Sequence, residues 1–262
     1  MSDLTLRIKV MQEAAVKAGE LLARRFKENT GQIDEINDWD VKLAVDKESD
    51  AIIKTLILEN FPTDIIYSEE GNELTDSSEY QWYVDPLDGS NNFVIGVPYF
   101  GVSIALRYQG ETVACSIYLP VITEHFVAIK GEGVKLNGKK IRIQTASSKT
   151  LAQSVLSWIR GHRVFSDKLL LDQANLLEKK FTSEVRRVLS FWSPVSDWTL
   201  VAKGLIDIII SFEDDLYEEY AGILLAQEAG AVVEFLDQEQ YPHRIIAGNP
   251  KLIAELQTIL NS

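Results

Sequence analysis

Asp85 and Asp88 stand three residues apart in "YVDPLDGSNNF", inside a run whose other residues read as buried strand. Pro86 fixes its own φ and Gly89 permits backbone angles closed to other residues, so the strand is expected to end there in a tight turn. Such a turn brings both carboxylates and the Leu87 carbonyl toward one point. Carboxylates plus a backbone carbonyl are the donor set of a hard cation such as Mg²⁺. Upstream, a second apolar segment ends at Glu69 and Glu70 in "IIYSEEGNE". Asp-Pro and Asp-Gly pairs also build ordinary turns, and acidic pairs are often merely solvated. Taken alone, the stretch fits that plainer reading equally well.

The elements that must carry these residues show in the periodicity. Leu6, Val10, Met11, Ala14, Ala18, Leu21, Leu22 and Phe26 recur at three- and four-residue spacing, which predicts an amphipathic helix over 4–28. The polar stretch "NTGQIDEINDWD" reads as a loop. A second helix starts near Asp46, placed as an N-cap, turns Ile52, Ile53, Leu56 and Ile57 inward, and ends before Pro62. From 81 to about 146, short segments rich in β-branched and aromatic residues predict an antiparallel meander, with a hairpin turn at Asn137-Gly138. Beyond 150, strands alternate with helices over 167–180, 195–204, 218–229 and 250–260, the pattern of a second, more α/β-like sheet. The expected division is an N-terminal α+β subdomain, 1–147, and a C-terminal α/β subdomain, 148–262.

The order of motifs narrows the chemistry. A Glu-Glu pair, then "DPLDGSNNF", then "YEEYAGILLAQEAG" resembles the inositol monophosphatase family of metal-dependent, lithium-sensitive-type phosphatases. Members carry D-P-[IL]-D-G-[TS]-x-N-F after a Glu-Glu pair and W-D-x-A-A-G…E-A-G-[GA] downstream. The likeness extends over nearly the whole chain, including "GEGVKLNG" at 131–138 and "VAKGLIDI". It implies a layered αβαβα sandwich of the inositol monophosphatase and fructose-1,6-bisphosphatase type, with a mostly antiparallel N-terminal sheet and a smaller C-terminal α/β sheet. It further implies that Glu69, Asp85, the Leu87 carbonyl, Asp88 and Glu218 ligate two or three Mg²⁺. Asp88, Gly89, Ser90 and Asn91 would meet the phosphate at a helix N-terminus. Asp46 would orient the Ser90 hydroxyl, and with Glu69 the pair would position and deprotonate the attacking water. A homodimer is the family default. The implied activity is hydrolysis of a small phosphorylated polyol or sugar, with histidinol-phosphate, fructose-bisphosphate and 3′-phosphonucleotide phosphatases as rivals. A weakened homologue that only binds metal or phosphate is the non-enzyme alternative.

Electrostatics makes cations obligatory for that reading. Close carboxylates repel by about 4 kcal/mol per pair at roughly 4 Å and an effective dielectric of about 20. A phosphate monoester adds about two more negative charges, which only cations can offset. No Cys or His nucleophile is called for, so the expected reaction is direct in-line attack by water.

The chain departs from the family pattern where substrate and second metal meet. Tyr217-Glu218 stands for the usual Trp-Asp, moving the carboxylate by about 1.5 Å. Asp214 and Asp215 are the competing ligands, while Glu213 and Glu219 read as solvated. Ser211 occupies the place of a glutamate that inositol-hydrolysing members use, Trp192 replaces a small residue, and Asp197 lies near a family polar position. Core packing is the preferred reading for Trp192. Arg160, His162 and Arg163 serve either the pocket rim or a basic surface turn, and Arg186 and Arg187 carry the same ambiguity. His125 and His243 have no assigned role.

Acidic residues outnumber basic ones 39 to 26, for a formal net charge of -13, which argues against a nucleic-acid polymer as partner. No apolar run approaches the roughly 20 residues that span a bilayer. The lone Cys115 forms no internal disulfide, reads as a buried small hydrophobe, and fits a reducing, cytoplasmic setting.

Overall fold

Helix α1 (Asp3–Glu28) forms where the apolar periodicity lies, and it buries Val10, Met11, Ala14, Ala18, Leu21 and Leu22 along one face. The computed structural model describes residues 3–28, 33–36, 41–73, 78–142, 149–236 and 244–260. His243 and the expected subdomain boundary at 147/148 lie outside these described residues. The stretch expected to be loop contains β1 (Ile33–Ile36), paired antiparallel with β2 (Val41–Leu43). A four-residue strand with two acidic residues in its middle carries too little apolar signal to stand out. Helix α2 (Ala44–Asn60) starts earlier than its expected cap. Leu43 is the N-cap residue, and Asp46 sits at the third helical position, where its Oδ2 accepts from the Leu43 N–H at 2.8 Å. Asp46 therefore reaches back to the helix entrance instead of capping it.

The larger sheet has seven strands in chain order: β3 (Ile65–Ser68), β4 (Tyr80–Asp88), β5 (Gly101–Tyr108), β6 (Glu111–Leu119), β7 (Glu124–Ile129), β8 (Gly133–Leu136) and β9 (Lys139–Ile141). All pairs are antiparallel except β3 with β4. The predicted meander is thus present, with β3 added at its edge. The short helix α3 (Ser90–Ile95) joins β4 to β5.

The smaller sheet comprises β10 (Val155–Arg160), β11 (Arg187–Leu189), β12 (Ile208–Phe212), β13 (Val232–Phe235) and β14 (Arg244–Gly248), in the order β11-β10-β12-β14-β13. β10 runs parallel to both its neighbours, and β14 antiparallel to both of its own. All five residues of β12 are buried, as expected for a strand covered on both faces. Its helices are α4 (His162–Ser166), α5 (Lys168–Thr182), α6 (Pro194–Ala202), α7 (Leu216–Ala229) and α8 (Pro250–Leu260).

The layers follow from the contacts. α1 packs on α2 and on β5 and β6; α6 and α7 pack against each other and touch strands of both sheets; α5 packs on α8, which lies on β14. The result is the αβαβα sandwich that the sequence implies. One apolar cluster runs from the larger sheet through the middle helices into the smaller one, joining Cys115, Ile117 and Phe126 with Trp198, Leu225, Ile209 and Ile245. Cys115 is fully buried within it, which pushes its thiol up to about 12. Glu228, from the downstream motif, accepts from the Gly131 and Gly133 N–H groups at 2.8 Å each. Two motif segments far apart in sequence are thereby fastened together.

Candidate functional site

β4 does not stop at Pro86; it runs on to Asp88 through a bulge. Asp85 pairs with Ser103 and Asp88 with Gly101, so three steps on β4 match two on β5. In a regular strand, residues three apart face opposite sides. The extra residue returns both aspartates to one side. The Ser49 hydroxyl of α2 donates to the Pro86 carbonyl at 2.7 Å and anchors the bulge from behind. Asp85 Oδ1 accepts from the Leu87 N–H at 2.9 Å, and the Ser90 hydroxyl donates to the Leu87 carbonyl at 3.0 Å. Gly89 has φ +85°, the left-handed conformation that turns the strand into α3.

Asp85, Asp88 and Glu218 converge, with one oxygen of each lying within 4.8 Å of the others, and all three are buried. Asp85 Oδ2, Asp214 Oδ2 and Glu218 Oε2 are buried and have no hydrogen-bond partner. Burial lifts Asp85 well above the usual carboxylate range, and the charges of Glu69 and Asp88 add to it. Glu218 is lifted likewise, first by burial and then by Asp214 and Asp85. Asp214 follows the same pattern, with Asp215 and Asp88 as its like-charged neighbours.

Asp88 is held differently. It accepts from the Ser193 hydroxyl and from the backbone N–H groups of Val195 and Ser196, at the N-terminus of α6. Burial outweighs these donors and pushes its carboxyl up to about 7. Ser193 is fixed in turn by Ser196, Oγ to Oγ 2.6 Å. Close backbone approach brings the acidic loop in: a Cβ on Gly161, just after β10, would fall 1.7 Å from the Glu213 carbonyl oxygen. Only glycine lets the segment carrying Asp214 pass there.

These groups surround one cavity of about 440 Å³. Glu69, Asp85, Leu87, Asp88 and Glu218 line it, as do Gly89, Ser90 and Asn91. What the arrangement can do is hold hard cations against a phosphate-sized anion.

A model described as the inositol monophosphatase family matches residues 3–261. The chain belongs to that family. It is 32% identical to the "Fructose-1,6-bisphosphatase/inositol-1-monophosphatase" of Aquifex aeolicus (strain VF5), over 96% of this chain and 94% of that one. It is also 32% identical to the "Nus factor SuhB" of Escherichia coli (strain K12), over 94% and 92% of the two chains. Among solved structures, the extragenic suppressor protein suhB from Bartonella henselae superposes with a TM-score of 0.88 at 29% identity, covering 98% of this chain and 99% of that one.

Of the other residues singled out in the sequence, some reach the cavity and others do not. Trp192 is not core: it is 64% exposed and lines the cavity. Ser211 is fully buried, donates to Glu219 Oε1 at 2.7 Å, and takes no part in the lining. Glu219 and Glu213 are not solvated; Glu219 is fully buried, and Glu213 pairs with Arg244 at 3.0 Å. Glu213 lies in the short segment between β12 and α7 and Glu219 in the first turn of α7, a placement which the acidic composition conceals. Arg160 and His162 line the cavity, whereas Arg163 lies outside it, 3.9 Å from Glu213. Arg186 and Arg187 are exposed and also outside the lining. Asp46 stands at the α2 entrance and does not reach the lining.

His125 is mostly buried, 2.8 Å from the Ser116 hydroxyl and away from the cavity. Burial lowers it to about 4. The sequence reading missed Ser193, the donor to Asp88. Its signal is present in "SPVSDW", a serine followed by a proline at the first helical position.

Proposed function

We propose that the protein is a Mg²⁺-dependent phosphomonoesterase acting on a small phosphate monoester. The observation that carries this reading is the buried trio Asp85, Asp88 and Glu218, in which Asp85 Oδ2 and Glu218 Oε2 are left unpartnered. The donor set is all oxygen and fully buried, which suits a hard divalent cation. Glu69, Asp85, the Leu87 carbonyl, Asp88 and Glu218 would hold two or three such ions, with Asp214 as a further neighbour. When bound, the metal lowers the pKa of water and stabilises the departing alkoxide.

The chain's own residues supply the rest. Glu69, on the cavity wall, takes the proton of the attacking water, and the Ser90 hydroxyl helps to position that water. Asp46 acts as a positioning residue from the α2 entrance. Gly89, Ser90 and Asn91 meet the phosphate at the start of α3. The water oxygen bonds to phosphorus, the ester P–O bond breaks, and the leaving oxygen takes up a proton from solvent, balanced by loss to solvent of the one Glu69 accepted. Family membership supports a homodimer. The single cysteine supports a reducing, cytoplasmic setting. Among the described residues, no helix is long and apolar enough to cross a membrane.

Phosphate release by the purified protein, first stripped of metal and then titrated with Mg²⁺, tests the reading. Release should appear only with Mg²⁺ and vanish with chelator. Metal binding without turnover on any monoester would instead point to a binding protein.

A further inference from the structure

The hairpin of β8 and β9 runs against the charge of the molecule. Residues 130–142 hold five of the chain's 26 basic residues and one of its 39 acidic ones. Lys130 pairs with Glu111 at 2.7 Å. Lys135, Lys139, Lys140 and Arg142 are exposed, and among the described residues none of them has an acidic partner. Val134, Leu136 and Ile141 turn one face of the hairpin onto the apolar cluster that spans the sheets. Strand alternation therefore gathers Lys135, Lys140 and Arg142 on the opposite face. Lys135 and Lys140 are direct cross-strand partners, and like charges so placed destabilise a hairpin. Lysine on an edge strand ordinarily guards it against unwanted pairing, which accounts for Lys139 and Lys140. It does not account for Lys135, which lies one strand in, on a chain rich in acidic residues that could have offset it. β9 also ends the larger sheet: among the described residues it pairs with β8 alone, so its outer edge is open.

We propose that this edge docks an acidic peptide segment of a partner protein, which adds to β9 as a further strand. Its alternate carboxylates would face Lys135, Lys140 and Arg142, since an incoming strand repeats its side-chain face with the same two-residue step that separates Lys140 from Arg142. The size of the patch favours a peptide over a larger polyanion. At physiological salt, charges beyond about 8 Å are largely screened, so a short acidic strand feels the hairpin and little of the acidic remainder. A nucleic acid or an anionic membrane would extend past the hairpin onto like charge. The proposal is independent of the cavity and of the phosphomonoesterase reading.

The test titrates the full-length protein with two peptides of equal length and charge, one alternating Glu with Thr and the other Glu with Pro. Proline lacks the N–H that strand pairing needs, so the pair separates edge addition from simple attraction of charge. The Glu-Thr peptide should bind, slow the hydrogen exchange of the β9 amides, and outbind the Glu-Pro peptide by at least about tenfold in Kd. Lys135→Glu and Lys140→Glu should each weaken the Glu-Thr peptide by at least about tenfold. Lys140→Glu should also raise Tm, because it turns a like-charged cross-strand pair into an opposite one, so lost binding is not lost folding. No binding of the Glu-Thr peptide overturns the proposal, as does equal binding of the two peptides or binding that neither substitution moves. A fall in Tm for Lys140→Glu removes the like-charge cost and overturns it too. Tighter, hairpin-dependent binding of single-stranded DNA or of phosphatidylserine vesicles overturns it in favour of a nucleic acid or a membrane.

Discussion

At the scale of single residues, the trio of buried carboxylates sets the terms. Glu218 stands within 4.8 Å of Asp85 and Asp88, and after burial the charge of Asp214 does most to raise it. Glu218→Gln should therefore weaken Mg²⁺ binding by at least about tenfold, measured calorimetrically, because a neutral amide cannot offset a dication. Asp88→Asn should abolish phosphate release while the far-ultraviolet dichroism stays native. Retained turnover would remove Asp88 from the metal site. That Asp85 and Asp88 face one cavity was legible through Pro86 and Gly89 beside them, while Glu69 on the same wall was legible only through the likeness of its Glu-Glu pair to the family motif. The bond from Ser193 to Asp88 was not, since it joins residues 105 apart and depends on how α6 meets β4. Trp192 was misread for a related reason: apolar composition suggests burial, and only the backbone angle and the exposure show otherwise.

At the scale of elements, the helices, the meander and the alternating C-terminal half were legible because each shows its own period. The β4 bulge was not. Proline and glycine announce a break, but the register against β5 decides which side each aspartate faces. The approach of β10 to the segment after β12 is equally invisible in sequence, and Gly161 is its sole local trace. Gly161→Ala would place a methyl group inside the Glu213 carbonyl, so the acidic segment must shift. The expected result is a fall in Tm of roughly 5 °C, seen by calorimetry, together with weaker Mg²⁺ binding. An unchanged Tm would show that the two segments are not packed as described.

At the scale of the whole molecule, the acidic cluster ties stability to pH. Asp85, Asp88, Asp214 and Glu218 all have raised folded-state values, caused first by burial. In the metal-free protein the unfolded chain gives up these protons near the ordinary carboxylate range while the folded chain keeps them. Their contribution is complete below about pH 4 and is lost as pH rises toward and through about 7, the value for Asp88. Mg²⁺ favours the ionised forms, so the gain in Tm on adding it should grow between pH 5 and pH 8 in thermal scans. A gain independent of pH would mean that the cation binds elsewhere.

One carboxylate of this cluster has a second allegiance. Asp88 belongs to the larger sheet, yet its donors are the first groups of α6, a helix of the layer between the sheets. The apolar cluster continues across that same seam. Swinging the two halves apart would strip Asp88 of its donors and expose the seam to water. Asp88 thus joins the two sheets as well as the cluster it belongs to: the same carboxylate that stands with Asp85 and Glu218 is seated on the helix layer that separates the sheets.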